Sequence, residues 1–80
     1  MDDSSILQLI SELTDREKEL EDSHAMEPLS KEKKAELHAI EVELDQCWDL
    51  LRRRRARRAS GLDPDDETVR SELVVESYEQ

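Results

Sequence analysis

The sequence predicts an all-α fold in which two helices form an antiparallel hairpin. Two stretches carry apolar residues at steps of three and four, which is the spacing of one helix face. A short break that contains a proline separates them, and a connection this short joins antiparallel neighbours. The chain has 80 residues, which is enough for one small domain.

The first predicted helix covers about residues 4–25. Residues 2–5 supply candidate N-caps, and their two aspartates suit the positive end of the helix dipole. Pro28 ends the helix, because the residue before a proline resists the helical conformation. The apolar stripe of this helix is Ile6, Leu9, Ile10, Leu13 and Leu20.

The second predicted helix, about residues 31–59, is the element on which we expect the rest of the chain to dock. Ser30 is its natural N-cap, Gly61 its stop signal, and Pro64 follows just beyond. At 1.5 Å per residue it is about 40 Å long and outreaches the first helix. Its stripe contains Leu37, Ile40, Leu44, Cys47, Trp48 and Leu51.

These signals divide the chain into a helical hairpin over residues 1–61 and an acidic C-terminal tail over residues 62–80. Asp63 and Pro64 form a second helix-start signal, with acids in the turn that follows. We therefore expect either a short third helix of one or two turns or an extended tail.

The apolar content is too low for one hairpin to stand alone. Hydrophobic residues make up 35% of the chain and charged residues 42%, so a lone hairpin leaves one side of each stripe in water. We expect two hairpins to pair as an isologous homodimer, a four-helix bundle. The predicted core or dimer interface is Ile6, Leu9, Ile10, Leu13, Leu20, Leu37, Ile40, Leu44, Cys47, Trp48 and Leu51.

Trp48 is the only tryptophan of the chain, and two roles are open to it. The favoured interpretation is that it fills the widest part of the protein's own core or of the dimer seam. The alternative is an anchor for another protein, since aromatic residues dominate interface energies.

A block of arginines at the end of the second helix is the most conspicuous candidate binding feature. Six guanidiniums on two turns can grip phosphates, but the net charge is −10 and no aromatic residue interleaves them. Asp49 is placed to pair with the first two, and acids of either chain can cover the rest. We favour this neutralisation over an unidentified acidic protein partner or a nucleic acid. The block consists of Arg52, Arg53, Arg54, Arg55, Arg57 and Arg58.

The sequence also resembles a known family. The run LDQCWDLLRRRRARR at residues 44–58, together with Gly61, the segment DPD at residues 63–65 and the ending YEQ, is similar to small actinobacterial proteins of a domain of unknown function. The resemblance covers nearly the whole chain and implies a helical, cytoplasmic protein. It implies no activity, and it assigns no functional residues.

No constellation of residues predicts catalysis or a cofactor. Cys47 lies on the packing stripe, where a small apolar role is normal, and spacing places no base beside it. Glu21 and His24 have the Glu-x-x-His spacing of di-iron bundles, with Glu17, His38 and Glu41 as imaginable partners. With 22 acids in 80 residues, such a match is expected by chance.

The sequence therefore predicts a non-catalytic structural or interaction protein. A nucleic-acid-associated factor that acts through the arginine block is the runner-up, and a metal site in the bundle is a weaker third interpretation. The single cysteine excludes an intramolecular disulfide and suits a reducing compartment. The acidic N-terminus lacks the features of a signal peptide, and no apolar run is long enough for a membrane. We expect a cytoplasmic protein.

Overall fold

The computed structural model describes residues 2–24 and 27–69, and the side chains of all of these except His24. Helix α1 spans Asp3–His24, helix α2 spans Lys31–Ala59, and one turn of 3₁₀ helix follows at Pro64–Asp66. These residues contain helices and no strand, which confirms the all-α prediction. The final residues of the predicted tail, 70–80, lie outside the described part.

Both helix starts are capped by side chains. The Asp2 carboxylate accepts a hydrogen bond from the Ser5 amide at 2.8 Å, so Asp2 is the residue among the candidate caps that begins α1. The Ser30 hydroxyl accepts from the Lys33 amide at 3.2 Å, which confirms the predicted N-cap of α2. Each cap satisfies an amide that has no partner within its own helix.

Gly61 ends α2 in the left-handed conformation, with a φ of 75°. The Leu62 amide donates to the Arg57 carbonyl at 2.8 Å, and the Gly61 amide donates to the Arg58 carbonyl at 3.1 Å. This pair of hydrogen bonds is the Schellman motif, which confirms the predicted stop. The motif turns the chain, so that residues 63–67 run beside the last turns of α2.

The two helices pack antiparallel. Asp3, at the start of α1, contacts Arg54 near the end of α2, whereas Arg16 contacts Glu36 further down both helices. Between these contacts lies the core cluster of Ile6, Ile10, Cys47, Leu50 and Leu51, with Leu9, Leu13 and Leu44 packed partly buried against it. Leu20 and Ile40 are buried and Leu37 is half-buried on the same pair of helices. Pairing of two such hairpins into a four-helix bundle stays a prediction.

Trp48 does not lie in the core of the chain, and this corrects one of the two places predicted for it. Its side chain is 48% exposed, although its neighbour Cys47 is buried. One residue turns a helix by about 100°, which moves Trp48 from the buried stripe to its edge. A place for Trp48 in a dimer interface stays a prediction.

Candidate interaction surface on the second helix

Arg54 is buried inside the molecule, with 4% of its surface exposed. Its Nε donates to the Asp3 carboxylate at 2.7 Å, and its Nη1 donates to the Pro64 carbonyl at 3.1 Å and to the Asp65 carboxylate at 2.9 Å. A buried guanidinium is tolerated only when it is paired and hydrogen-bonded, as this one is. Arg54 therefore joins the start of α1, the end of α2 and the 3₁₀ turn.

Three more arginines of the block are held by acids of the same chain. Arg53 pairs with Asp49 at 2.9 Å and with Glu67, and it donates to the Thr68 carbonyl. Asp49 is itself buried, and Arg53 supplies the nearby cation that a buried carboxylate needs. For Arg53, this confirms the predicted pairing within the helix.

Arg57 and Arg58 complete this group. Arg57 donates to the Asp63 carbonyl at 2.7 Å and pairs with Asp66 at 3.2 Å. Arg58 pairs with Asp3 at 3.0 Å. The prediction that acids of the protein neutralise the block is confirmed for four arginines, which we call the arginine cluster: Arg53, Arg54, Arg57 and Arg58.

Arg52 and Arg55 are different. The Arg52 side chain is 76% exposed and reaches Asp49 only at 3.9 Å. Arg55 is exposed and forms no ion pair with any residue in the described part of the chain. Together with Trp48 and Leu51 they line an open surface cavity of about 390 Å³. We call Trp48, Arg52 and Arg55 the tryptophan face.

A second cavity lies on the opposite flank of the hairpin. Leu9, Gln46 and Val69 are among its lining residues, and its volume is about 230 Å³. Trp48 follows Gln46 by two residues, which is about 200° around the helix. The tryptophan face is therefore on the flank away from Val69. By the same rotation from Leu9, Leu7 lies on the Trp48 flank, where it is 44% exposed.

Acidic side chains of α1 and α2 lie close to one another on the N-terminal side of Trp48 along α2. Glu17 of α1 is half-buried, and this burial raises the pKa of its carboxyl group. The negative charges of Glu21 and Glu41 raise that pKa further. These three carboxylates belong to the set imagined as a metal site. Within residues 2–24 and 27–69, no three metal-ligating side chains are grouped to hold an ion, and the side chain of His24 lies outside the described part.

The pKa shifts elsewhere follow the ion pairs. The hydrogen bond from Arg54 lowers the pKa of Asp3, and that from Arg16 lowers the pKa of Glu36. Burial raises the pKa of the Cys47 thiol, with the charge of Glu43 adding to the effect. Cys47 is therefore a protonated core residue at neutral pH, which is the opposite of an activated nucleophile.

Sequence reasoning missed the structural role of Arg54 and the core position of Leu50. The spacing of both residues from Cys47 indicates their buried positions. Leu50 follows Cys47 by three residues, and Arg54 follows Cys47 by seven, so both lie on the buried stripe of α2. The buried position of Arg54 was missed because an arginine within a run of basic residues is usually interpreted as a solvated side chain.

The fold and this surface define a small helical-hairpin protein whose arginines are largely tied to its own acids. Residues 2–80 match the family described as "Protein of unknown function (DUF2630)", and the chain belongs to that family. This confirms the resemblance seen in the sequence.

Relatives of the chain occur in mycobacteria. Uncharacterized proteins of Mycobacterium bovis and of two strains of Mycobacterium tuberculosis are each 46% identical to it over 77 residues, covering 95% of this chain and 88% of theirs. No solved structure matches the chain. In its described part, no helix is both long enough and apolar enough to cross a bilayer.

Proposed function

We propose that this protein is a non-catalytic interaction protein of the cytoplasm that works as a homodimer and docks through its tryptophan face. The observation that carries the proposal is the 48% exposure of Trp48 beside two arginines, Arg52 and Arg55, that form no close ion pair with any described residue. Tryptophan and arginine are the residues most enriched at the energetic centres of protein interfaces.

The energetics favour covering this face. A tryptophan side chain buries about 150–250 Å² when it is fully enclosed. Enclosing the exposed half of Trp48 removes about 100 Å² from water, which is worth about 2–3 kcal/mol per chain. Leu7 adds exposed apolar surface on the same flank.

The chemistry of the described residues favours binding over catalysis. Cys47 is the one thiol of the chain, and burial raises its pKa. Among the described residues, the arginines that could stabilise a developing negative charge are already paired with carboxylates, apart from the two on the tryptophan face.

Sedimentation equilibrium of the full chain tests the proposal. We expect wild-type protein to sediment with twice the mass of the chain at micromolar concentration. We expect Trp48→Ala to shift the population to monomer without losing helix content, because Trp48 lies outside the core. Leu62→Ala is the matched control, since Leu62 is equally exposed, at 53%, but lies beyond the end of α2. A monomeric wild-type protein at high micromolar concentration would refute the proposal.

The runner-up is a nucleic-acid-associated factor, and one observation favours it. An aromatic ring beside two exposed arginines can stack on a base while the guanidiniums contact phosphates. Against it stand the net charge of −10 and the four arginines of the arginine cluster, which are occupied. Filter binding of single-stranded DNA and RNA at low salt decides the matter. Absence of retention at micromolar protein removes this candidate.

A further inference from the structure

We infer that two copies of this chain pair through antiparallel α2 helices that cross at Trp48, so that Arg55 of each copy meets Glu41 of the other. This inference rests on the proposed function and specifies its interface. It follows from the charges on the exposed side of one helix and from their distances to Trp48.

On this side of α2, two opposite charges lie at equal distances before and after Trp48. Glu41, Trp48 and Arg55 are spaced seven residues apart, which is close to two full turns, so all three lie on one side of the helix. All three side chains are exposed. Glu41 and Arg55 each lie about 10 Å along the axis from Trp48, one toward each end of the helix.

A second pair of opposite charges follows the same arrangement. Asp45 and Arg52 each come four residues after a member of the first set, so they flank the same side of the helix. Asp45 precedes Trp48 and Arg52 follows it. Over the two turns on either side of Trp48, this side of α2 is thus acidic before Trp48 and basic after it.

This arrangement fits a second copy in only one direction. If a two-fold axis passes beside Trp48 of both copies, a residue that precedes Trp48 in one copy lies opposite the residue of the other copy that follows Trp48 at the same distance along the helix. Arg55 then faces the acidic Glu41 of the other copy, and Arg52 lies beside its Asp45. A parallel pairing would instead set Glu41 against Glu41 and Arg55 against Arg55, which like charges disfavour.

The surroundings of Glu41 supply an independent reason for a cation to dock there. Glu41 lies close enough to Glu17 for its charge to raise the pKa of that carboxyl, and Glu21 acts in the same direction. In the described part of the chain, Glu41 forms no ion pair, and neither does Arg55, which lies seven residues beyond Trp48 on the same side of α2. One docking event would give each of these two charges a partner.

A charge-swap experiment on the full chain tests the inference. Glu41→Arg sets arginine against arginine at both ends of the interface, and Arg55→Glu sets acid against acid. We expect each variant alone to dimerise at least tenfold more weakly than wild type, as judged by sedimentation equilibrium. In a mixture of the two variants, the two replaced side chains face each other at one end of the interface. The unchanged Arg55 of one chain faces the unchanged Glu41 of the other at the opposite end, so the mixture should recover wild-type affinity as a heterodimer.

Glu43→Arg is the matched control. It reverses the same charge two residues further along α2, about 200° around the helix, on the flank of the second cavity. We expect it to dimerise like wild type. The fluorescence of Trp48, which is the only tryptophan, gives a second readout, because its emission should shift to the blue as dimers form.

The outcomes separate the inference from the proposal beneath it. If wild type dimerises but neither charge reversal weakens it, or if mixing the variants restores nothing, this pairing of α2 helices is wrong while the homodimer stands. If wild type stays monomeric, both are wrong. Quenching of Trp48 in such a monomer by an acidic peptide or by an oligonucleotide would assign the tryptophan face to that partner instead.

Discussion

A single arginine connects three parts of this molecule. Arg54 is almost fully buried, and its guanidinium reaches the carboxylate of Asp3, the carbonyl of Pro64 and the carboxylate of Asp65. The planar, forked arrangement of its donors lets one side chain serve groups on different sides. Its removal would leave Asp3 and Asp65 near each other with one cation fewer.

Replacing Arg54 should therefore destabilise the fold. We expect Arg54→Ala to lower the melting temperature by about 5 °C or more, because an acid on α1 and one on the 3₁₀ turn lose their common partner. Arg54→Lys should recover only part of the loss, since one ammonium cannot span the same acceptors. Thermal unfolding followed by circular dichroism measures both. Lys34→Ala, which removes an exposed cation from the same helix, is the control. Equal melting temperatures for Arg54→Ala and the control would contradict this account.

The boundaries of the elements were predictable because each depends on local chemistry. Ser30 caps α2 and Gly61 ends it, as the sequence indicated, since caps and stops are decided by a few neighbouring residues. The exposure of Trp48 was not predictable in this way. A residue at the edge of a stripe is buried or exposed according to what packs beside it, and spacing along one helix does not contain that information.

The same limit explains the arginine block. The sequence placed six arginines on two turns and showed that acids surround them in the chain. It did not show which guanidiniums would be enclosed, because that depends on the reversal of the chain at Gly61. Once the chain turns back, residues 63–67 approach the side of α2 that carries Arg53, Arg54 and Arg57, whereas Arg52 and Arg55 stay outside.

Gly61 is therefore the residue at the end of α2 on which this arrangement depends, and its substitution is a direct test. A Cβ at this position would meet nothing within 4 Å, so the cost of Gly61→Ala comes from the backbone alone, at a φ of 75°. We expect a loss of about 1 kcal/mol in the free energy of unfolding. Urea denaturation measures it.

Two variants control that measurement. Gly61→Asn should cost less than Gly61→Ala, because asparagine tolerates the left-handed conformation better. Ser60→Ala makes a similarly small change one residue earlier, where φ is −91°, and should leave stability within about 0.5 kcal/mol of wild type. If Gly61→Ala proved as stable as Ser60→Ala, the turn would not need a glycine.

At the scale of the whole molecule, the acids act in two opposite directions. The chain carries 22 acids against 12 lysines and arginines. Some acids, such as Asp3 and Glu36, are stabilised as anions by arginines, which lowers their pKa. Glu17 is destabilised as an anion by burial and by neighbouring acids, which raises its pKa. A fall in pH therefore changes stability in opposite directions through these two kinds of acid.

The sign of each effect follows from linkage between proton binding and folding. An acid whose pKa is lowered in the folded state stabilises the fold above its ordinary value, which is 3.8 for Asp3 and 4.5 for Glu36. That stability is lost as the pH falls through the folded pKa. An acid whose pKa is raised, such as Glu17, destabilises the fold when ionised, so stability rises as the pH falls toward its ordinary value of 4.5.

We therefore expect stability to rise as the pH falls from 7 through the raised pKa of Glu17 toward 4.5, and to fall at lower pH, where Asp3 and Glu36 become protonated. Urea midpoints across this range, at fixed protein concentration, measure the curve. Glu17→Gln should stabilise the protein at pH 7 and flatten the rise, because it removes the charge that burial and neighbouring acids oppose. Asp3→Asn should be less stable at pH 7 and lose less below pH 4. Asp15→Asn, at an exposed position of α1, controls for the loss of one negative charge. A wild-type curve that climbs steadily from pH 5 to pH 8, unchanged in Glu17→Gln, would mean that repulsion around Glu17 has no part in setting the stability.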